Sequence, residues 1–244
     1  LAQSAVQEFG GRARFVVENY GESELAERFG VKRYPAFFVD DVLVATPKDF
    51  GFYGKGEGEP NGRYTPFVKN AASYERFRAD IERAIRLILA GKKDVVRQEA
   101  GAHPEEPIAA FPAVTLTGLD GKTVTREDLA GRVVLVEIWA TWCPPCRGTL
   151  SWLGELKEKH GDRVAVVALA IESDEADVRK LVQELQLPFV WVMASPDLVR
   201  SFGDVSAVPT LLVFDREGKT AATFFGAPPT LHGEAEATLA SLLR

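Results

Sequence analysis

"IWATWCPPCRG", residues 138–148, carries both cysteines of the chain, Cys143 and Cys146, with Pro144 and Pro145 between them. The segments on either side of the pair decide the fold. Directly upstream, "RVVLVEIWA" (132–140) is an almost unbroken apolar run rich in β-branched residues, the pattern of a buried strand. Directly downstream, "CRGTLSWLGELKEKHG" (146–161) has helical spacing and ends at a glycine. A strand that runs into Cys143 and a helix that begins there put the first sulfur at a helix N-terminus. Unpaired N–H groups and the positive end of the helix dipole favour thiolate over thiol at that place. Cys146 lies one helical turn later, close enough to close a ring with Cys143 and expected to be more buried. The two prolines suit the first turn, because the N–H groups they lack would have had no intrahelical partner. They also withdraw donors from the sulfur and so help to set its reduction potential.

Working outward, the C-terminal half alternates strands and helices. "AVTLTGLDGKTVTREDL" (113–129) reads as a hairpin turning at Asp120-Gly121. After the helix come a strand at 163–171, a helix at 174–186, a short strand "PFVWVMA" and a short helix near 196–202. "TLLVFD" and "TAATFFG" form a second hairpin, and a helix closes the chain at 230–244. Such an order predicts an α/β fold, a mixed sheet with helices on both faces.

The N-terminal half is less complete. Leu1, Ala5, Val6 and Phe9 have helical spacing, "ARFVVEN" (13–19) reads as a strand, and "SELAERFG" (23–30) as a helix with a serine cap. "AFFVDDVLVA" (36–45) suggests a hairpin, 46–70 a long loop, and 73–90 a helix with Tyr74, Phe77, Ile81, Ile85 and Ile88 on one stripe. Residues 92–110 shift to charge, alanine and proline. The expected division is therefore a first domain at 1–93, a linker at 94–108 and a second domain at 109–244. A weak internal repeat joins the halves: "LAERFGVKRYPAFFVDD" (25–41) and "LVRSFGDVSAVPTLLVFDREG" (198–218) both read as helix, Phe-Gly, turn, proline, apolar strand and acidic turn.

Composition removes several classes of function. A formal net charge of −6 gives a nucleic-acid partner no electrostatic support. The longest apolar runs are far too short to cross a bilayer. The chain opens on Leu1 rather than methionine, so the lack of a signal peptide says nothing about compartment. Two cysteines cannot make a disulfide framework and act as one pair. Two other readings of that pair stay open. Both thiols could be buried and inert. A metal site would need further soft or imidazole ligands, and His103, His160 and His232 are scattered, which disfavours closed zinc and leaves a two-thiolate copper site.

Several motifs in order carry a family resemblance. "FPAVTLTGLDGKTVTREDLAGRVVLVEIWATWCPPCRG" and "AVPTLLVFDREGK" resemble the TlpA-like disulfide reductases of the thioredoxin superfamily, a group that includes cytochrome c maturation reductases. The resemblance covers about 109–244, and the 66 residues from Cys143 to Pro209 have room for the helix and strand this group inserts. It implies a thioredoxin fold, with Cys143 as the attacking thiol and Cys146 as the resolving thiol. Pro209 matches the cis-proline that helps to bind an extended substrate chain, and Val208 and Thr210 beside it join the substrate-binding set. Trp142 matches the aromatic that flanks the site, and with Pro144 and Pro145 it completes the substrate-binding set. Peroxidase relatives share the entry hairpin, but their Pro-x-x-x-Thr/Ser-x-x-Cys arrangement is missing here.

This chain also departs from the group. Several cytochrome-maturation relatives carry Glu three residues after the second cysteine, where Thr149 stands here, and a neutral polar residue on the core strand, where Glu137 stands. Thioredoxin keeps a buried Asp at the position of Glu137. A carboxyl in an apolar central strand is costly to ionise, so its pKa should rise. Such an acid beneath Cys146 could take the thiol proton when that sulfur attacks.

By the repeat, residues 1–90 resemble a second, incomplete thioredoxin-like unit in which Pro35 corresponds to Pro209. Its first strand and cysteine step would lie upstream of Leu1. Lacking a thiol, it is expected to serve docking or dimerisation, with the aromatic loop 50–67 as a contact surface. The expected function is a thiol–disulfide oxidoreductase that reduces protein disulfides and needs no diffusible cofactor. By resemblance it works outside the bacterial cytoplasm, in the periplasm or facing a membrane, and is recharged by a membrane thiol carrier. A copper-handling or docking protein on the same fold is the alternative. Oligomeric state has no signature in the sequence.

Overall fold

The computed structural model describes residues 1–19, 23–31, 36–46, 49, 71–100, 108–203, 205 and 207–244. The chain divides into two units, Leu1–Glu106 and Pro107–Arg244.

In the first unit, α1 (Ala2–Gln7) precedes α2 (Glu24–Arg28), which starts behind Ser23, whose hydroxyl accepts from the Ala26 N–H at 2.9 Å. The hairpin expected at 36–45 is β1 (Phe37–Val39) paired antiparallel with β2 (Val42–Ala45). Helix α3 (Ala71–Leu89) lays Phe77, Ile81 and Ile85 against Ala5, Phe9 and Ala45. Two expectations fail in this unit. Residues 13–19 form no strand, and Val17 is 75% exposed. A strand needs a hydrogen-bonded neighbour, and among the described residues the unit's sheet ends at β1 and β2. The charged start of the expected linker is instead α4 (Lys93–Ala100), which buries Val96 against Val42 and Ala84. Lys93 pairs with Asp40 and Asp41 at 2.6 and 2.5 Å, and Arg97 pairs with Asp41. The charges that suggested a solvated linker are the ones that tie this helix to the β1–β2 turn. Pro35, the loop 50–67 and residues 101–107 of the linker lie outside the described residues.

The second unit begins with the expected hairpin, β3 (Leu116–Thr117) against β4 (Thr123–Val124), followed by α5 (Arg126–Leu129) behind a Thr125–Asp128 capping box. Its remaining elements run β5 (Val133–Trp139), α6 (Pro144–His160), β6 (Val164–Ala170), α7 (Glu175–Leu185), β7 (Val190–Met193), α8 (Pro196–Ser201), β8 (Thr210–Phe214), β9 (Thr220–Phe225) and α9 (Leu231–Leu242). The sheet order is β7-β6-β5-β8-β9. β5 is parallel to β6 and antiparallel to β8, so it is the central strand of a mixed sheet. All seven of its residues are buried, as the apolar run required.

Alternation along β5 sends Val133 and Leu135 to one face, where Leu153 and Leu156 of α6 and Leu231, Ala235 and Leu239 of α9 cover them. The opposite face is closed in part by aromatics. Phe214, level with Val134, meets the ring of Phe111 edge-on at 5.2 Å, and Phe111 meets Phe202 at 5.3 Å. At Gly154 a Cβ would lie 2.5 Å from Leu187 Cδ2, so this turn of α6 packs close to the segment after α7. A mixed sheet flanked by helices is the α/β, thioredoxin-like class expected for the second half.

Candidate redox site

Both cysteines stand just beyond the C-terminal end of β5. Cys143 is the N-cap of α6, with extended backbone, and its Sγ accepts from the Cys146 N–H at 3.3 Å. Pro144 and Pro145 fill the first two helical positions. Cys143 and Cys146 are joined as a disulfide, with 5.4 Å between their Cα atoms. Cys146 is fully buried and Cys143 is 3% exposed. Pro144 and Pro145 are exposed beside them. Trp142 is the one exposed large hydrophobic residue among those described in the second unit, at 57%.

Pro209 stands after a cis peptide bond from Val208. Thr210 pairs across the sheet with Ile138, so Pro209 is level with the end of β5, where the cysteine loop departs. Pro209 and Thr210 are buried and Val208 is half-buried. Thr210 Oγ1 donates to the Ala207 carbonyl at 2.6 Å and so ties the turn before β8 to the strand.

Glu137 is fully buried. It lies two residues after Leu135, hence on the face that α6 covers, between Ala168 of β6 and Leu211 of β8. Among the described residues neither carboxyl oxygen has a hydrogen-bond partner, and the same holds for Nε1 of Trp139, two positions on along the same face. Burial alone pushes the Glu137 carboxyl well above the usual carboxylate range. The side chain does not reach solvent from the strand. Thr149 is buried and its hydroxyl donates to the Pro145 carbonyl at 3.2 Å. Among the described residues no group of three or more His, Cys, Asp and Glu side chains could hold a metal ion. His103 lies outside the described residues.

The sequence did not reveal the contacts that hold the segment between β5 and the first sulfur. Thr141 donates from its backbone N–H and its hydroxyl to Ser173 Oγ, at 2.9 and 3.2 Å. The Trp142 indole N–H donates to the Glu172 carbonyl at 2.9 Å. Ser173 in turn donates to the Ile171 carbonyl at 2.8 Å. These partners are about thirty positions away along the chain, and no local pattern links them.

An N-capping cysteine, a second cysteine one turn later and a cis-proline level with the strand end they follow, all on a thioredoxin-like sheet, define a thiol–disulfide oxidoreductase. The chain belongs to the Redoxin family, whose pattern matches residues 107–242. It is 31% identical over 141 residues to the thiol-disulfide oxidoreductase ResA of Bacillus cereus (strain ATCC 10987 / NRS 248), a match spanning 55% of this chain and 80% of that relative. It is 29% identical to the thioredoxin-like protein YneN of Bacillus subtilis (strain 168), over 52% of this chain and 71% of that one. A thiol:disulfide interchange protein of the thioredoxin family from Chlorobium tepidum TLS shares the fold, with TM-score 0.51 at 23% identity, covering 58% of this chain and all of that one. The TlpA-like resemblance of the second half is thereby shown, and the protein is a thiol–disulfide oxidoreductase.

Proposed function

We propose that the chain reduces disulfides of partner proteins, and that the second unit carries the whole reaction. One observation carries this reading above the others: the first sulfur caps a helix of 17 residues and accepts from a backbone N–H of its first turn. In the reduced form this environment favours thiolate at Cys143. The thiolate attacks one sulfur of the partner's disulfide, that bond breaks, and the other partner sulfur leaves as thiolate and takes a proton. Cys146 then gives up its proton, attacks Cys143 Sγ and releases the second partner thiol. The partner gains two electrons and two protons, and the enzyme becomes the Cys143–Cys146 disulfide. Glu137, in its ionised form, takes the proton of Cys146 and passes it on to the departing partner sulfur, so the carboxyl ends as it began. Trp142, Pro144, Pro145, Val208, Pro209 and Thr210 bind the partner's extended chain around its disulfide.

The reducing direction rests on the TlpA-like group, and with it a location outside the cytoplasm, substrates of the kind met in cytochrome c maturation and recharging by a membrane thiol carrier. Among the described residues no helix is long and apolar enough to cross a membrane. The experiment that tests direction is the reduction potential of the Cys143–Cys146 pair, from equilibration with glutathione or dithiothreitol buffers. A reductant lies nearer thioredoxin, about −270 mV, and a value near about −120 mV would make the protein an oxidant.

The first unit is read as a thioredoxin-like module that docks partners. Its order of α2, Pro35, antiparallel hairpin and α3 repeats that of α8, Pro209, β8–β9 and α9. Removing residues 1–106 should weaken binding of a partner by about tenfold or more in titration. Unchanged affinity would end the docking role.

A further inference from the structure

We propose that the turn 171–173 is a positioning element for partner docking: it fixes the Trp142 ring as a platform beside Cys143 and so decides which disulfides the enzyme accepts. The inference rests on the reading that protein disulfides are the substrate. Thr141 and Trp142 are the two residues between the buried Ala140 and the N-capping Cys143, and β5 ends before them at Trp139. Three hydrogen bonds hang them on the neighbouring turn: two from Thr141 to Ser173 Oγ and one from the Trp142 indole to the Glu172 carbonyl. Cys143 N–H donates back to the Ala140 carbonyl at 3.2 Å, so the loop is short and its direction is passed on to the sulfur.

The turn itself is held from both sides. Ile171 N–H donates to the Trp139 carbonyl at 2.9 Å, which locks the turn to the end of β5, and Ser173 Oγ closes on the Ile171 carbonyl. Glu172 adopts φ 43, the left-handed region, and this backbone presents its carbonyl to the indole. A large ring with more than half its surface in water has several rotamers open to it. The bond at its N–H edge selects one of them. The exposed face is then preorganised for an incoming chain, which lowers the ordering cost of docking. Glu172 acts here through its main chain and Ser173 through its hydroxyl. Neither touches a sulfur, so both are positioning residues.

The test compares insulin, a protein disulfide, with hydroxyethyl disulfide, which is too small to need the platform. Glu172→Val places a β-branched residue where φ is positive and should turn the carbonyl away. Glu172→Gly removes the carboxylate but accepts the left-handed backbone. Ser173→Ala removes the acceptor for Thr141, and Ser173→Thr keeps it. The expected result is a rise in KM for insulin of about five- to tenfold in Glu172→Val and Ser173→Ala, with kcat and hydroxyethyl disulfide turnover within about twofold of wild type. Glu172→Gly and Ser173→Thr should restore the KM. The Trp142 indole N–H, assigned by its loss in Trp142→Phe, should exchange with solvent about tenfold faster in the Val variant. An unchanged KM, an equal loss on both disulfides, or a Gly variant as impaired as the Val variant would each overturn the positioning role alone. A wild-type protein that turns over hydroxyethyl disulfide but not insulin would overturn the functional reading, and this inference with it.

Discussion

The Cys146→Ser chain is expected to remain covalently attached to its partner, as a mixed disulfide through Cys143 that survives non-reducing electrophoresis. Cys143→Ser should form no such adduct and lose turnover by at least about a thousandfold. The asymmetry comes from where the two sulfurs stand. Cys143 caps α6 and its Sγ faces the Cys146 N–H, so the helix stabilises negative charge there. Cys146 is wholly buried on the inner side of the first turn and can reach one electrophile only, the sulfur of Cys143. Without it, the mixed disulfide has no internal exit and waits for an external thiol. With serine at 143, the buried thiol has no route to a partner. If both single variants trapped adducts equally, the assignment of attack and resolution would be wrong. If neither did, the pair would not be the reaction centre.

The second unit was legible because its chemistry and its hydrophobic pattern coincide. The run 132–140 could only be a strand covered on both faces, and the cysteines at its end marked residue 143 as a helix start. Pro209 is placed by the resemblance to the TlpA-like reductases, and the structure supplies the reason: antiparallel pairing of β8 with β5 brings the strand start to the strand end. The first unit was harder to read for a physical reason. "ARFVVEN" has strand-forming residues, but propensity does not supply a neighbour, and without a ladder Val16 and Val17 face solvent. Residues 93–100 have a composition that suits a linker and a helix alike. Only the Asp40-Asp41 turn, more than fifty residues earlier, decides between them. The bonds from Thr141 and Trp142 to 172–173 are of the same kind: parallel strands bring together turns that are distant in sequence, and hydroxyl-to-backbone pairing leaves no periodic mark.

Glu137→Gln should separate the cost of this carboxyl from its use. Burial raises its pKa, with no hydrogen bond among the described residues to oppose the shift. The folded protein therefore holds this proton more tightly than the unfolded chain, whose glutamates titrate near about 4.3. Between that value and the raised one, the native state binds more protons, so stability falls as pH rises, by up to about 1.4 kcal/mol per pH unit. Glutamine has the same shape and no proton to lose. The variant should be more stable than wild type at neutral pH, and urea titrations at several pH values should show the gap widening upward from about pH 4.3. Its kinetics should move the other way. Once the mixed disulfide has formed, Cys146 must lose a proton inside the protein, and the ionised fraction of a carboxyl with a raised pKa, on the face beneath α6, is a strong enough base to take it. The second step should slow by about a hundredfold, and attack by Cys143, made at the helix terminus, should keep its rate. A variant that gains stability without losing the second step would show Glu137 to be a burden with no part in the exchange. One that loses both steps equally would mean that the carboxyl shapes the site and moves no proton. Only the opposed pair of changes, a steadier fold and a slower resolution, fits a carboxyl kept in the core for the sake of the buried thiol.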